Sequence, residues 1–252
     1  NSEKGRMAVP VIFGGTSAER HVSIMSGTNV WIKLKSSKKY RPIPYFLSRD
    51  GYFYQIPHFI CLHHTAEEIE ELILDYRLVL PHQYNDILKR LGISSEDLDE
   101  PLFVPQRKTL ANLAKKYSFV FLGLHGSPGE DGVLQRELDR LGVRYNGPGA
   151  RCSRLCMDKF ETGAVIDAAK IPGVKSAKKI LVNVDESAEK IWRKLEQSGF
   201  GSGFKNSVIL KPRRDGCSAG ILRIRSRQEL EKYLQFVRGN FSFIPANAIH
   251  HG

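Results

Sequence analysis

The chain has 252 residues, 41% of them hydrophobic and 10% aromatic, so it can bury a full core and is not a disordered polypeptide. Its 38 lysines and arginines outnumber 27 acidic residues, which gives a formal net charge of +11 and favours anionic partners. Because no run of about 18 apolar residues is present, we expect no membrane-spanning helix and no membrane partner.

Hydrophobic periodicity in the first half of the chain predicts alternating strands and helices. Short apolar runs predict strands at 9–13, 43–47, 52–56, 119–124 and 143–145. Apolar residues at helical spacing predict helices at 22–34, 65–76 and 132–141, the second of which begins with a capping box at Thr65. Residues 81–105 are polar and interrupted, which indicates a loop with short helical pieces. The alternation predicts a mostly parallel sheet with helices on both faces.

The second half of the chain has a different pattern. It predicts helices around 157–159 and at 162–169, 188–199 and 228–237, and strands at 179–184, 208–211 and 219–224. We therefore expect two domains, residues 1–149 with an α/β fold and residues 150–252 with an α+β fold. Ligands of a parallel sheet bind at the carboxyl ends of its strands, and both Gly14-Gly15 and His125 follow predicted strands.

Cysteine usage indicates a reducing compartment. None of the four cysteines belongs to a Cys-x-x-Cys pair. Cys152 and Cys156 share a helical face with no histidine near them, so we expect buried free thiols and no metal site. The polar residues 1–7 do not resemble a secretory signal, so the expected location is the cytoplasm. An organelle is the alternative, if a leader peptide has been removed.

Four motifs carry residue types that suit phosphate or polar-ligand sites. They are Val11-Ile-Phe-Gly-Gly-Thr-Ser-Ala-Glu-Arg20, Phe121-Leu-Gly-Leu-His-Gly-Ser-Pro-Gly-Glu-Asp-Gly132, Cys156-Met-Asp-Lys-Phe160 and Val208-Ile-Leu-Lys-Pro-Arg-Arg-Asp-Gly-Cys-Ser-Ala-Gly220. The first joins a strand to a helix through a glycine turn, which gathers backbone N–H groups at one point. In this order the motifs resemble the D-alanine–D-alanine ligases of the ATP-grasp superfamily. The resemblance implies a Rossmann-like pre-ATP-grasp domain followed by part of an ATP-grasp domain.

The resemblance also implies a reaction. ATP phosphorylates the carboxylate of one D-alanine, and the amine of a second D-alanine attacks the acyl phosphate. Glu19 matches the glutamate that holds the ammonium group of the first D-alanine, His125 matches the histidine beside it, and Gly14, Gly15 and Gly126 complete this substrate site. A carboxylate at a strand–helix turn can hold an ammonium group, although the helix dipole alone also favours an exposed first-turn glutamate.

Lys159 and Lys211 match the two lysines that contact the ATP phosphates. A lysine that closes an apolar strand, as Lys211 does, is costly unless it meets an anion or solvent. Gly216 and Ser218 belong to the glycine-containing loop over the phosphates. Cys217 occupies the position where most such ligases have a catalytic serine that hydrogen-bonds the substrate-holding glutamate, and a thiol is a weaker partner.

The resemblance implies ATP and Mg²⁺ as cofactors. In the family, the magnesium ligands and the adenine-binding strand follow the segments matched here. We therefore expect no metal ligand in these 252 residues and no catalysis by them alone. A homodimer is a further expectation.

The distribution of charge supports a second hypothesis, in which the chain is a catalytically inert relative that serves as a scaffold or RNA-binding part of an organellar ribonucleoprotein. Nine basic and three acidic residues lie between Gly201 and Gly252. Arg223, Arg225 and Arg227 share one face if the strand extends that far, and they would then contact phosphates. A solvated strand face is the alternative. The retained Glu19, His125, Lys159 and Lys211 favour the ligase.

Overall fold

The computed structural model describes residues 5–63, 65–79, 81–92, 104–200, 207–216, 218, 220–239 and 249. The chain divides into two compact units, which end and begin at Met157 and Asp158. The division falls after the helix at 150–157, whereas the sequence places a domain boundary before it. No helix in these described ranges is both long and apolar enough to cross a membrane.

The first unit is built on a six-stranded sheet. Its strands are β1 (Met7–Gly14), β2 (Tyr40–Leu47), β3 (Phe53–Gln55), β4 (Gln106–Lys108), β5 (Phe119–Leu122) and β6 (Arg144–Tyr145), in the order β4-β3-β2-β1-β5-β6. Strands β2, β1, β5 and β6 are parallel, and β3 pairs antiparallel with β2 and β4. The helices are α1 (Arg20–Lys35), α2 (Ala66–Val79), α3 (Pro81–Leu91), α4 (Leu110–Lys116), α5 (Val133–Arg140) and α6 (Ala150–Met157).

Alternation along the central strands divides the core of this unit into two layers. Val11 and Phe13 of β1 pack with residues of α1 and α2, whereas Ile12 packs with residues of α4 and α5. On β2, Phe46 belongs to the first layer and Tyr45 to the second. These side chains are at most 2% exposed, and each stabilises the fold by about 1.5–3 kcal/mol. The sheet is therefore covered on both faces, as the sequence predicts.

The first unit contains β4 and α4, which hydrophobic periodicity did not predict, and two of the expected segments also differ from the structure. The strand expected at 119–124 ends at Leu122, and its Phe119 and Phe121 are only half-buried. The region expected to be mainly loop at 81–105 begins with the eleven-residue helix α3. The segment is polar overall, so its amphipathic pattern, in which Leu88 is buried, was not recognised.

The second unit contains three helices and a strand pair among its described residues. These are α7 (Lys159–Ala168), α8 (Ala188–Gln197), β7 (Val208–Leu210), β8 (Leu222–Ile224) and α9 (Arg227–Arg238), and β7 pairs antiparallel with β8. The strand predicted at 179–184 is wrong, because these residues pair with no described strand. Ile180 and Val182 instead pack half-buried on the core formed by α8, α9 and β8. Apolar residues alternate in this segment because one side of the extended chain is buried, and not because the segment pairs with another described strand.

Helix α1 lies close to the sheet because Gly27 has no side chain. A Cβ atom at Gly27 would overlap the Cβ of Phe13, and one at Gly123 would lie 3.0 Å from the Gly27 Cα. The helix backbone therefore packs directly against β1 and against the residue that follows β5.

Replacing Gly27 by Ala tests this close packing. Alanine favours the helix by about 1 kcal/mol over glycine, but forcing a methyl group into a filled core costs about 1–3 kcal/mol. We expect a net loss of stability, seen as a lower urea midpoint in circular dichroism. The matched control Asn29→Ala, on the exposed face of the same helix, should raise the midpoint slightly. A higher midpoint for Gly27→Ala would contradict the packing argument.

Candidate functional site

The turn after β1 brings backbone to the carboxyl edge of the sheet. Gly14 and Gly15 have φ angles of +92° and +106°, and the Gly15 N–H donates to the Leu47 carbonyl at 2.8 Å. A Cβ atom at Gly14 would lie 2.7 Å from that same oxygen, so this turn requires glycine. The neighbours of β1 are β2 on one side and β5 on the other, which makes this edge the topological switch point where α/β sheets bind ligands.

A buried hydroxyl group joins the two strand ends at this edge. Ser23 Oγ accepts from the Gly14 N–H at 2.9 Å and donates to the Gly123 carbonyl at 2.9 Å. The residue is 0% exposed, so both bonds form away from solvent. Ser23 therefore holds the glycine turn and the loop after β5 at a fixed separation.

Glu19, His125 and Gly126 meet at this edge from segments more than 100 residues apart. Ser17 Oγ donates to the His125 carbonyl at 2.7 Å and accepts from the Glu19 N–H at 3.2 Å. A Cβ atom at Gly126 would lie 3.1 Å from Glu19 Oε2, so this carboxylate lies beside the Gly126 backbone. The Nε2 atom of His125 lies 2.9 Å from Ser26 Oγ, and the imidazole tautomer sets which of them donates. The predicted substrate residues of the first unit thus form one half-buried cluster.

The loop that follows His125 is shaped by its own side chains. Glu130 Oε2 accepts from the Gly126 N–H at 2.8 Å, and Gly132 begins α5 with a φ of +84°. Thr16 Oγ1, which follows the Gly14-Gly15 turn, donates to the Ser127 carbonyl of this loop at 3.3 Å. Glu130 therefore holds the backbone of the loop, and Gly132 allows α5 to begin.

Sequence reasoning did not single out the residues that position this cluster, namely Ser17, Ser23 and Ser26. Ser23 and Ser26 lie one helical turn apart on the side of α1 that meets the strand ends. A signal was present, since hydroxyl residues at helical spacing interrupt the apolar stripe of α1. Such interruptions at core-facing positions indicate polar groups that need buried partners.

Asp158 organises the start of α7 in the second unit. Its Oδ1 accepts from the N–H groups of Phe160 and Glu161, each at 3.1 Å, and its Oδ2 lies 2.6 Å from Arg213 Nε and 3.2 Å from Arg214 Nε. The side chain is only 3% exposed. The Arg213 guanidinium, more than any other group, holds the pKa of Asp158 well below its usual range, against the opposing effect of burial.

Lys159 lies in the same cluster of contacts. Its N–H donates to the Arg213 carbonyl at 3.1 Å, and its ammonium group donates to the Asp215 carbonyl. Together with the ion pairs of Asp158, these bonds dock residues 213–215 on the N-terminus of α7. The ammonium group of Lys159 is thus already close to the loop that the sequence places over the phosphates.

The remaining residues of the predicted phosphate site lie on and after β7. Lys211 is exposed immediately after the strand. The left-handed backbone of the loop falls at Ser218, with a φ of +58°, and not at Gly216. Cys217 lies outside the described residues.

Arg223, Arg225 and Arg227 are exposed but do not form the stripe that alternation suggests. Strand β8 ends at Ile224, and Arg227 is the first residue of α9. The alternation of side chains between two faces holds only within a strand, so the condition for a common face is not met at Arg225 and Arg227. Arg223 Nε donates to Ser207 Oγ at 2.7 Å, which satisfies part of its guanidinium within the chain.

The thiols also differ from expectation. Cys61 is buried, but Cys152 and Cys156 are exposed. The expectation of burial is wrong for this pair, since Ser153 is the buried residue of α6. Within the described part of the chain, no group of three or more His, Cys, Asp or Glu side chains could hold a metal ion.

Comparison with known families agrees with this geometry. A family model described as the D-ala D-ala ligase N-terminus matches residues 8–148, which is more than half of the chain. The chain belongs to the D-alanine–D-alanine ligase family. The matched stretch contains both the Gly14-Gly15 turn and the His125 loop.

Individual relatives extend the match but are longer than this chain. The D-alanine–D-alanine ligase of Finegoldia magna is 29% identical over 228 residues, which cover 89% of this chain and 54% of that protein. The ligase of Chlorobium phaeovibrioides is 27% identical over 236 residues, covering 91% and 58%. The chain therefore spans little more than half the length of these relatives.

Two solved ligase structures share the fold of this chain. The VanG D-Ala:D-Ser ligase from Enterococcus faecalis has a TM-score of 0.59 at 24% identity, covering 91% of this chain and 59% of that one. The D-alanine-D-alanine ligase from Coxiella burnetii has a TM-score of 0.59 at 23% identity, covering 92% and 58%. At this identity the likeness is one of fold.

The variant Asp158→Asn tests the ion pairs at the start of α7. Because folding depresses the pKa of this carboxyl, its contribution to stability is present above the ordinary value of about 3.9 and is lost as pH falls through the folded-state pKa. At neutral pH we expect Asp158→Asn to lose about 1.5–3 kcal/mol, because asparagine can cap the helix but cannot pair with two guanidinium groups.

Urea midpoints measured between about pH 3 and pH 7 check this prediction. The difference between wild type and Asp158→Asn should shrink toward the acid end. The control Asp185→Asn removes an exposed carboxylate of the same unit and should leave the midpoint nearly unchanged. A constant difference at every pH would show that the lost charge is not responsible.

Proposed function

We propose that the first unit binds the first D-alanine of a D-alanine–D-alanine ligase reaction. The observation that carries the proposal is the convergence of the Glu19 carboxylate on the Gly126 backbone, beside the His125 loop. Glu19 supplies a negative charge for the ammonium group of the amino acid. The chain belongs to a family whose named relatives are such ligases, which supports this choice of substrate.

The surroundings of Glu19 suit a ligand that is held in one orientation. Ser17 fixes the backbone at both Glu19 and His125, and Ser26 fixes the imidazole ring. In an acyl-phosphate mechanism the protein mainly positions its substrates and stabilises the charge that develops on them. The Ser17 hydroxyl, which accepts from the Glu19 backbone N–H, and the Ser26 hydroxyl, which contacts the His125 imidazole, would supply the positioning part of that task.

We further propose that Lys159, Lys211, Gly216 and Ser218 of the second unit contact the phosphates of ATP, with Cys217 in the catalytic position of the family's serine. The lysines provide cationic donors, which fit a phosphate group chemically. Bound ATP would supply the phosphoryl group that activates the carboxylate. The described residues do not fit Mg²⁺, because no cluster of three acidic or histidine ligands is found among them. We infer that this stretch alone does not release phosphate from ATP.

Hydrogen exchange with D-alanine tests the substrate site. We expect D-alanine to slow exchange of the backbone around Glu19 and His125, and L-alanine to do so less. Glu19→Gln should lower the affinity for D-alanine about 10- to 100-fold, because a hydrogen bond to a charged group contributes about 1.5–3 kcal/mol. A higher concentration of D-alanine should then be needed for the same protection. Glu71→Gln, an exposed carboxylate on α2, is the matched control and should bind like wild type. Equal protection by both enantiomers would contradict the assignment.

The second candidate function is binding of RNA by a non-catalytic relative, for which Arg223, Arg225 and Arg227 are the proposed contacts. The formal charge of +11 and the exposure of all three side chains favour it. Contact with phosphates would make affinity fall with salt, by a slope of about −0.7 per contact on a single strand. Of the two candidates, we prefer the ligase, because it explains the Glu19 cluster.

Replacing the three arginines together by Ser measures this second candidate. If all three contact phosphates, the slope of log K against log salt for single-stranded RNA should flatten by roughly two units. The matched control Lys33→Ser, Lys35→Ser and Lys38→Ser removes the same charge from exposed positions at the end of α1. Equal flattening in both triple variants would show general electrostatic attraction and remove the arginine site.

A further inference from the structure

Two exposed thiols lie next to each other on one face of α6. The sulfur atoms of Cys152 and Cys156 are 3.9 Å apart, with no disulfide between them. Their hydrogen bond, together with burial, raises the pKa of the Cys156 thiol. Neither residue belongs to the substrate or phosphate positions described above.

The helix geometry disfavours a direct bond between these sulfurs. Cβ atoms four residues apart on a helix are about 5–6 Å apart, whereas a disulfide requires about 3.5–4.5 Å. Oxidation to a disulfide would therefore have to distort α6. A single atom that bridges the two sulfurs does not require the short Cβ–Cβ distance of a disulfide.

A soft metal ion fits the observed separation. Two thiolates that bind one tetrahedral ion with bonds of about 2.3 Å lie about 3.8 Å apart. The sulfur–sulfur distance of 3.9 Å in α6 is close to this value. Thiolates select soft ions of the Zn²⁺ and Cd²⁺ class over Mg²⁺ or Ca²⁺.

A cavity beside the pair offers room for the rest of the coordination shell. It has a volume of about 350 Å³, and Cys156, Met157 and Gln135 are among the residues that line it. Gln135 is 4% exposed; its Nε2 donates to the Gly129 carbonyl at 2.5 Å, while its Oε1 has no hydrogen-bond partner. A buried acceptor without a partner is costly. A metal-bound water or amine in this cavity would provide a donor for it.

We propose that Cys152 and Cys156 form a two-thiolate site for a soft divalent cation, whose remaining ligands come from solvent or a small molecule in the adjacent cavity. Binding replaces two S–H bonds by two metal–sulfur bonds and releases two protons. Affinity therefore rises with pH while the thiols are protonated. The site is independent of the proposed ligase function.

Titration with Cd²⁺ tests the site on the reduced 252-residue chain in a Cys217→Ser background, so that the cysteine outside the described residues does not contribute. The readout is the ultraviolet charge-transfer band from thiolate to cadmium. We expect one ion per chain and release of two protons. Cd²⁺ should protect Cys152 and Cys156 from alkylation, while the buried Cys61 reacts slowly with or without it.

A matched variant separates the spacing of the thiols from their number. Arg154→Cys with Cys156→Ser keeps two thiols on α6 but places them two residues apart, on opposite sides of the helix. This variant should bind Cd²⁺ at least about 100-fold more weakly, since the second thiolate can no longer add to the first. Arg154→Ser alone controls for the lost charge and should bind like the parent. Equal affinity in the two-thiol variant, or no one-to-one complex in the parent, would overturn the proposal.

Discussion

The close approach of α1 to the sheet is the constraint on which the first unit depends. Gly27 lets the helix backbone contact β1 and Gly123, and this approach brings Ser23 within reach of both strand ends. A helix held further away would break one of the two bonds of the buried Ser23 hydroxyl, at a cost of about 1–3 kcal/mol. Because the turn that carries Glu19 enters α1 directly, the same packing determines where its carboxylate lies.

The second unit holds its cationic loop by internal contacts. Asp158 forms ion pairs with two guanidinium groups, and the ammonium group of Lys159 already has a carbonyl partner in Asp215. If Lys159 contacts ATP as proposed, a phosphate group would replace that carbonyl as the acceptor, and its full negative charge would make it the stronger partner. The contacts with Asp158 and Lys159 hold residues 213–215 near the start of α7.

The sequence predicts the parts of the fold that burial controls. The central strands, α2 and α5 follow hydrophobic periodicity, because each buries one face or both. Helix α1 forms where it was expected, but its buried face contains Ser23 and Gly27, while the apolar Val22 and Met25 are exposed. The expected strand at 179–184 fails because one-sided burial of an extended chain has the same period as a strand, whereas a strand also needs a pairing partner. The exposure of Cys152 could not be read from spacing, since a shared helical face does not say whether another element covers it.

The same distinction applies to the candidate site. Resemblance identifies Glu19 and His125, but the hydroxyl groups of Ser17 and Ser26 contact His125 across more than 90 residues of sequence. Net charge is likewise an indirect guide to anion binding. Arg238 donates to the carbonyls of Val184 and Glu186 at 2.7 and 2.6 Å, which fastens the extended segment before α8 to the end of α9. Guanidinium groups that satisfy carbonyls and carboxylates within the chain have fewer donors left for phosphates. An excess of arginine and lysine can therefore serve hydrogen bonds and ion pairs within the chain as well as the binding of anions. Only the contacts of each side chain show which of these two roles it has.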